Sequence, residues 1–409
     1  MSPRTPTARL ASILALGLLL RFAYAWHGYR AHYLPTSSDG YETIALNLIE
    51  RGEYSVEPGR PTSMREPSFP LFIAAVYEVA GERPAVVIFL HCLLSVATGW
   101  LLWLTGRRLF GEGVGLAALL VFMLYPQSVY YCAYFFRETW LCFWFGVLLW
   151  SSLDWSAAPD HPAGNRAAAL GGLAATAFGM GNSAVLPACA LSGLLIWSAA
   201  PKKSRLKRFF LYTAPLVLAF GAWTARNWAV QGRFIAGSTH GGEEFYRALL
   251  VPPEEQNGPR VVEILTADAL YAEVGALPEA ERNDRFMKAS FRWIKEHPGT
   301  FGSRVLAGVV KFWKLWPYKM DTYQHSYALL VLASLLSDGW IIPLGLFGLW
   351  LFRGRFRELP VLPASVFALT FVYGAVHAVI RYRLPLMGGM ILLACAVISS
   401  ICVNMKRSA

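Results

Sequence analysis

The chain has 409 residues, 55% of them hydrophobic and only 15% charged, with 37 Lys and Arg against 26 Asp and Glu for a formal net charge of +11. A soluble domain averages about 45–50% apolar and about 25% charged residues, so this balance excludes a soluble enzyme, a disordered tail and a secreted disulfide scaffold. The 15 Trp, 18 Tyr and 25 Phe suit the interfacial belts of a multispanning membrane protein.

In chain order, stretches near the ~20 apolar residues that cross a bilayer fall at 10–28, 85–106, 112–131, 135–153, 166–181, 183–200, 209–228, 326–352, 359–379 and 384–403. They predict an all-α polytopic protein of about ten transmembrane helices. The first is expected to stay uncleaved, because Arg21, Phe22 and Tyr24 spoil the signal-peptidase pattern that Ala23-Tyr24-Ala25 would otherwise suggest. Arg21 is costly against lipid and should face the bundle interior. Gly179-Met180-Gly181-Asn182-Ser183 interrupts the fifth and sixth spans. Two segments are too long for plain connections: 29–84, with amphipathic pieces at 41–49 and 67–80, and 227–323, with a polar loop at 252–260 and helical stretches at 279–297 and 301–316. These predict surface-lying helices in the first and fourth outer loops of one transmembrane domain spanning 1–409.

Charge placement gives direction. Arg4, Arg9, Arg107, Arg108, Arg166, the run from Lys202 to Arg208, Arg353, Arg355, Arg357, Lys406 and Arg407 fall on one side, and only Arg137, Arg381 and Arg383 in the short loops of the other. Both termini are therefore expected in the cytoplasm. The 202–208 run reads as an anchor to anionic lipid, not as a nucleic-acid site. The six cysteines lack CxxC or CxxH spacing and read as small buried hydrophobes, without zinc or disulfides.

Four clusters on the outer face carry candidate chemistry. Ser37-Ser38-Asp39-Gly40-Tyr41 places an acid just after the first span, where Ser or Asp would equally serve as a helix cap. Met64-Arg65-Glu66-Pro67 would also be an ordinary proline-started helix. Phe136-Arg137-Glu138-Thr139 puts an acid in a first helical turn, which the helix dipole alone favours. His377 with Arg381-Tyr382-Arg383 sets basic residues against the positive-inside bias and so asks for more explanation. One carboxylate among several arginines suits a phosphate-bearing lipid substrate.

Asp39-Gly40-Tyr41 with Ile44-Ala45-Leu46-Asn47-Leu48, followed by Arg65-Glu66-Pro67-Ser68-Phe69-Pro70-Leu71-Phe72, resembles the GT-C membrane glycosyltransferases. The resemblance is to the branch holding dolichyl-phosphate-mannose protein mannosyltransferases, aminoarabinose transferases and bacterial polyprenyl-phosphate-sugar transferases. It continues in order through Trp223-Thr224-Ala225-Arg226-Asn227-Trp228, Gly232-Arg233-Phe234, the Ser238–Phe245 loop, Glu296-His297-Pro298 and Arg381-Tyr382-Arg383-Leu384-Pro385. It implies a GT-C fold and transfer of a monosaccharide, with inversion, from a polyprenyl-phosphate carrier to an acceptor hydroxyl on the extracytoplasmic side. The acceptor would be a lipid, a glycan or a protein, and the membrane a bacterial inner membrane. The family's catalytic aspartate falls on Asp39 and its second acidic position on Glu138. Gly40 stands where some members have a paired acid, and no soluble outer domain is appended.

The residue types agree with that chemistry. An attacking hydroxyl needs one general base, whereas a lipid phosphate leaves as a stable anion and needs positive charge in place of a proton. Arg65, Arg381, Arg137 and Arg383 are the candidates for the donor phosphate. Glu138 and Glu66 are supporting acids that could hold a divalent metal (Mg or Mn), which the chemistry admits without requiring. Tyr41, His377, Tyr382 and Glu243 complete the expected pocket. A transporter or flippase for a lipid-linked or anionic solute is the alternative. Arg21 and the glycine break favour it; the outer-face clustering and the lack of a visible repeat oppose it.

Overall fold

The structure, a computed structural model, describes residues 6–30, 39–252, 255–256, 260–317 and 326–408. Ser37, Ser38, Arg4 and parts of the 252–260 loop and of the end of the long outer segment lie outside the described residues. Helix α1 (Pro6–Arg30) leads to α2 (Tyr41–Arg51), a ribbon of β1 (Ser55–Glu57) and β2 (Arg60–Pro61), and α3 (Ser68–Ala80). A helical body follows: α4 (Pro84–Phe110), α5 (Glu112–Leu124), α6 (Pro126–Cys132), α7 (Glu138–Ser151), α8 (Pro162–Gly179), α9 (Leu186–Ala199) and α10 (Arg205–Gln231). The second outer segment folds as α11 (His240–Leu250), α12 (Val261–Ala267), α13 (Ala269–Val274), α14 (Glu279–Glu296) and α15 (Pro298–Phe312). The chain ends with α16 (Tyr327–Leu351), α17 (Val361–Ala375), a 3-10 turn at Ile380–Arg383 and α18 (Leu384–Ser408). The antiparallel ribbon is the one sheet among the described residues.

All ten expected apolar stretches lie in helices. Among the described residues, α1, α4, α16 and the helix over 380–403 are each long and apolar enough to cross a membrane, and α5 with α6, bent by 55°, makes a fifth if the pair counts as one span. Helices α7 and α9 are shorter, with 14 residues each, or about 21 Å of rise against a ~30 Å hydrocarbon core.

The body closes around α4, which packs on α5 and α7, and around α18, which packs on α16 and also touches α5 and α7. Helix α8 sits between α7 and α10. Two buried arginines lock this frame. Arg21 is fully buried, as its place in the first span demands. It donates to Ser95 Oγ (2.8 Å), Ser128 Oγ (2.8 Å) and the Met123 carbonyl (3.0 Å). Pro126 at the start of α6 breaks the helix there, which frees carbonyls for it to take. Arg208, expected as the end of a surface anchor, is also fully buried. It donates to the carbonyls of Trp155 (3.0 Å), Ala157 (2.7 Å) and Ala158 (2.8 Å), which follow the end of α7.

A second core lies under the two short outer helices, where Tyr41, Phe69, Tyr77, Val87 and Phe135 are buried together. It carries the residues on which the candidate site is built.

Candidate active site

Asp39 immediately precedes Gly40, whose φ of 77° sits in the left-handed region. Gly40 is the cap residue of α2, and no side chain caps that helix end. The cap role open to Asp39 in the sequence is thus not the one it plays. Its carboxylate, one quarter exposed, lies between two guanidiniums: Arg65 Nη2 is 3.8 Å from Oδ1 and Arg381 Nη2 is 3.8 Å from Oδ2. Arg65 also donates from Nε to the Asp39 carbonyl (3.0 Å) and lies over the Tyr41 ring (5.5 Å). Arg381 sits 5.2 Å from both the Phe136 and Tyr382 rings, and its Nε is 3.5 Å from Glu138 Oε1. Glu138 is buried and its Oε2 has no hydrogen-bond partner. Segments far apart in sequence therefore meet around one carboxylate, and the ion pairs among them, at 3.5–3.8 Å, are all longer than a saturated one.

Glu66 and Arg137 are brought close to this cluster but serve each other. Arg137 Nη1 donates to Glu66 Oε2 (3.1 Å) and to the Gly181 carbonyl (3.1 Å). Glu66 Oε1 accepts from the Ser183 amide (2.8 Å) and hydroxyl (2.5 Å). This brace gives the glycine break between α8 and α9 a role: its buried carbonyls receive Arg137 at Gly181 and the Ser68 amide at Met180, and a Cβ on Gly181 would press on Leu141 (2.9 Å). Arg383 is withdrawn altogether. It is fully buried, donates to Asp338 Oδ2 (2.6 Å) and to the carbonyls of Phe312 (2.8 Å) and Lys314 (2.6 Å), and is not brought to Asp39.

The Trp223–Trp228 motif is also structural. Arg226 donates to the Thr62 carbonyl (2.6 Å) and lies over the Tyr54 and Trp223 rings. Asn227 accepts from Ser63 Oγ (2.9 Å). Glu279, at the start of α14, accepts from Thr62 Oγ1 (2.6 Å), the Ser63 amide (2.8 Å) and Thr239 Oγ1. The two outer segments are clasped by these bonds, which sets the loop bearing Asp39 and Arg65 at a fixed height.

On the other flank of Arg381, His377 is buried and stands 3.9 Å from Glu244. The sequence favoured Glu243; the structure puts its neighbour there. The missed signal was helical spacing in α11, since Glu244 shares a face with His240 and Arg247 while Glu243 points about 100° away. Glu244 is 3.3 Å from His240 and 3.5 Å from Arg247. Burial opposes its ionisation, yet His240, His377 and Arg247 hold its pKa at about 2. Burial pushes His377 down to about 4.

Among the described residues, no group of three or more His, Cys, Asp and Glu could hold a metal ion. Each acid around Asp39 faces an arginine, an arrangement that does not fit a protein-built cation site.

A family model described as dolichyl-phosphate-mannose-protein mannosyltransferase matches residues 60–224, less than half of the chain. That stretch includes Arg65, Glu66, Arg137 and Glu138, but neither Asp39 nor Arg381. No curated protein matches the sequence. Solved structures are similar at low identity. The apo oligosaccharyltransferase of Archaeoglobus fulgidus is 13% identical with a TM-score of 0.52, covering 100% of this chain and 52% of that one. The oligosaccharyltransferase AglB of the same organism, in complex with an inhibitory peptide and a dolichol-phosphate, is 12% identical with a TM-score of 0.51, covering 98% and 51%. ArnT of Cupriavidus metallidurans, bound to undecaprenyl phosphate, is 14% identical with a TM-score of 0.45, covering 96% and 78%. The chain spans about half the length of the archaeal structures, and the fold it shares with them is the GT-C membrane fold.

Proposed function

We propose that this GT-C membrane protein is a glycosyltransferase that moves a monosaccharide from a polyprenyl-phosphate carrier to an acceptor hydroxyl, with inversion, on the extracytoplasmic face. The observation that carries this reading is the partly exposed Asp39 carboxylate held 3.8 Å from both Arg65 and Arg381. The match to a mannosyltransferase family model and the dolichol-phosphate bound by AglB support the donor class.

In this mechanism Asp39 accepts the proton of the acceptor hydroxyl as its oxygen attacks the anomeric carbon. The bond from that carbon to the phosphate oxygen breaks, and the phosphate departs with the electron pair. Arg381 and Arg65 lie where the developing negative charge is stabilised. Glu138 orients Arg381 from behind; Tyr41 and Tyr382 wall the two arginines. The whole chain acts as one transmembrane domain, with both termini cytoplasmic in a bacterial inner membrane and the site on the periplasmic side. A lipid, glycan or protein supplies the hydroxyl.

The test is transfer from a panel of radiolabelled polyprenyl-phosphate sugars by the purified protein and by Asp39→Asn. Transfer lost in a variant with unchanged melting temperature is the expected result. Full activity in Asp39→Asn would remove the base and with it this mechanism.

A further inference from the structure

We infer that Asn182 and Tyr373 are positioning residues for Arg381: through them, the turn between α8 and α9 sets where that guanidinium stands beside Asp39. The role of Arg381 is the one given by the glycosyltransferase reading, on which this rests. Asn182 and Tyr373 are uncharged and lie outside the cluster of acids and arginines.

A continuous path of contacts joins the turn to the carboxylate. Asn182 is buried, its Nδ2 donates to Tyr373 Oη (2.7 Å), and its Oδ1 accepts from the Ala184 amide (3.1 Å). The side chain is therefore fixed from both sides of its amide. Tyr373, near the end of α17, is also buried, and its ring stacks on Tyr382 (4.8 Å, 23° between planes) and on Phe312 (5.7 Å, 15°). Arg381 lies over the Tyr382 ring (5.2 Å), with Nη2 3.5 Å from Tyr382 Oη and 3.8 Å from Asp39 Oδ2.

The same turn bears on the other guanidinium. Ser183 donates its amide (2.8 Å) to Glu66 Oε1, and the Ser68 amide donates to the Met180 carbonyl (3.0 Å). Glu66 follows Arg65 directly, so one short turn holds the loop that carries Arg65 and, by way of Tyr373, the stack that carries Arg381. It has little freedom of its own, since a Cβ on Gly237 would come within 2.6 Å of Ser183.

Contact lengths show why the path matters. The acids facing Arg381 stand off at 3.5 and 3.8 Å, too far to fix it as a short bidentate pair would. Its place is then set by the rings packed against it. Stacked rings tolerate offsets, so a stack alone would let Tyr382 slide. The 2.7 Å bond from Asn182 pins the Tyr373 hydroxyl and removes that freedom. A guanidinium that stabilises charge developing on the leaving phosphate has to be placed closely, because a misplacement of about 1 Å can cost about 100-fold in rate.

The test is a double-mutant cycle on the purified full-length protein in detergent, with a radiolabelled polyprenyl-phosphate sugar as donor. Tyr373→Phe keeps the ring and removes the hydroxyl. Asn182→Ser keeps an oxygen for the Ala184 amide but is too short to reach Tyr373. Each should lower kcat by about tenfold and change KM by less than about twofold, and the two together should cost no more than either alone. In an Arg381→Lys background the same changes should cost less than about twofold further, because the group they act through is already altered. Wild-type kcat in both variants overturns the inference. So does an equal fold-loss with Arg381 and with Lys at position 381, which is the outcome a merely structural role predicts. Failure of the transferase reading shows differently, as an Asp39→Asn variant as active as the wild type or as no transfer by either. Where transfer is absent or too slow to measure, the cycle is read on polyprenyl phosphate binding by intrinsic tryptophan fluorescence. Losses from Tyr373→Phe and Arg381→Lys that fail to add there sustain the coupling, and losses that add in full, or no loss in Tyr373→Phe, overturn it.

Discussion

Arg381 and Arg383 sit two residues apart on one 3-10 turn, and they live in opposite worlds. Arg383 is fully buried, with bonds of 2.6–2.8 Å to Asp338 and to two carbonyls that close the end of α15. Tyr125 Oη (2.7 Å) and Gln127 Nε2 (3.0 Å) complete the shell of Asp338. Arg381 is one quarter exposed, and its two acids stand off at 3.5 and 3.8 Å. Short, saturated contacts hold helices together; long, shared contacts leave a guanidinium able to meet a substrate. Arg383 thereby fixes the turn that presents Arg381, so the pair divides scaffold from chemistry within three residues.

The sharpest break in that comparison is Asp39→Asn. A lost general base lowers kcat by about 10²–10⁴-fold, while melting temperature and yield should stay those of the wild type. A matched fall in both activity and stability would move Asp39 to the scaffold side. Next in size is Arg383→Met. Removing one partner of a buried ion pair costs about 3–5 kcal/mol, because the other is left charged and unpaired. A large drop in melting temperature is expected, and the double change Arg383→Met with Asp338→Leu should regain much of it. If the double variant is no more stable than the single one, the pairing between Arg383 and Asp338 is not what holds this turn. A smaller effect is expected at Gly40. A Cβ there would meet Val56 at 3.7 Å and Met64 at 4.0 Å, ordinary contacts, so space is not the obstacle. The left-handed backbone is, and Gly40→Ala should cost about 1–2 kcal/mol. Activity should fall with it through displacement of Asp39, whereas Gly52→Ala, at φ 69° on the same helix's other end, should cost stability without activity.

Much of this was legible in the chain. Membrane class followed from composition, and the short outer helices followed from their apolar spacing: α2 and α3 start within a residue of the stretches expected. Asp39 and Glu138 could be named because they fall on the acidic positions that the resemblance implies, although each also fits an ordinary helix start; Arg65 because a leaving phosphate needs positive charge; and Arg381 because it runs against the expected charge bias. Gly40 also accounts for the missing second acid of the first loop, since a side chain there would strain the turn. What local sequence could not show is which of several adjacent charges faces inward. Arg381 and Arg383 are equivalent on paper, and only the long-range partner Asp338, 45 residues away, separates them. Glu243 and Glu244 differ by a helical rotation that the glycines before them made hard to read as helix. Arg208 belongs to a basic run in which Lys202, Lys203 and Lys207 are exposed, and its burial depends on carbonyls contributed 50–53 residues earlier. Apolarity by itself marks burial in protein and in lipid alike, so an apolar run does not tell which of the two a helix face meets.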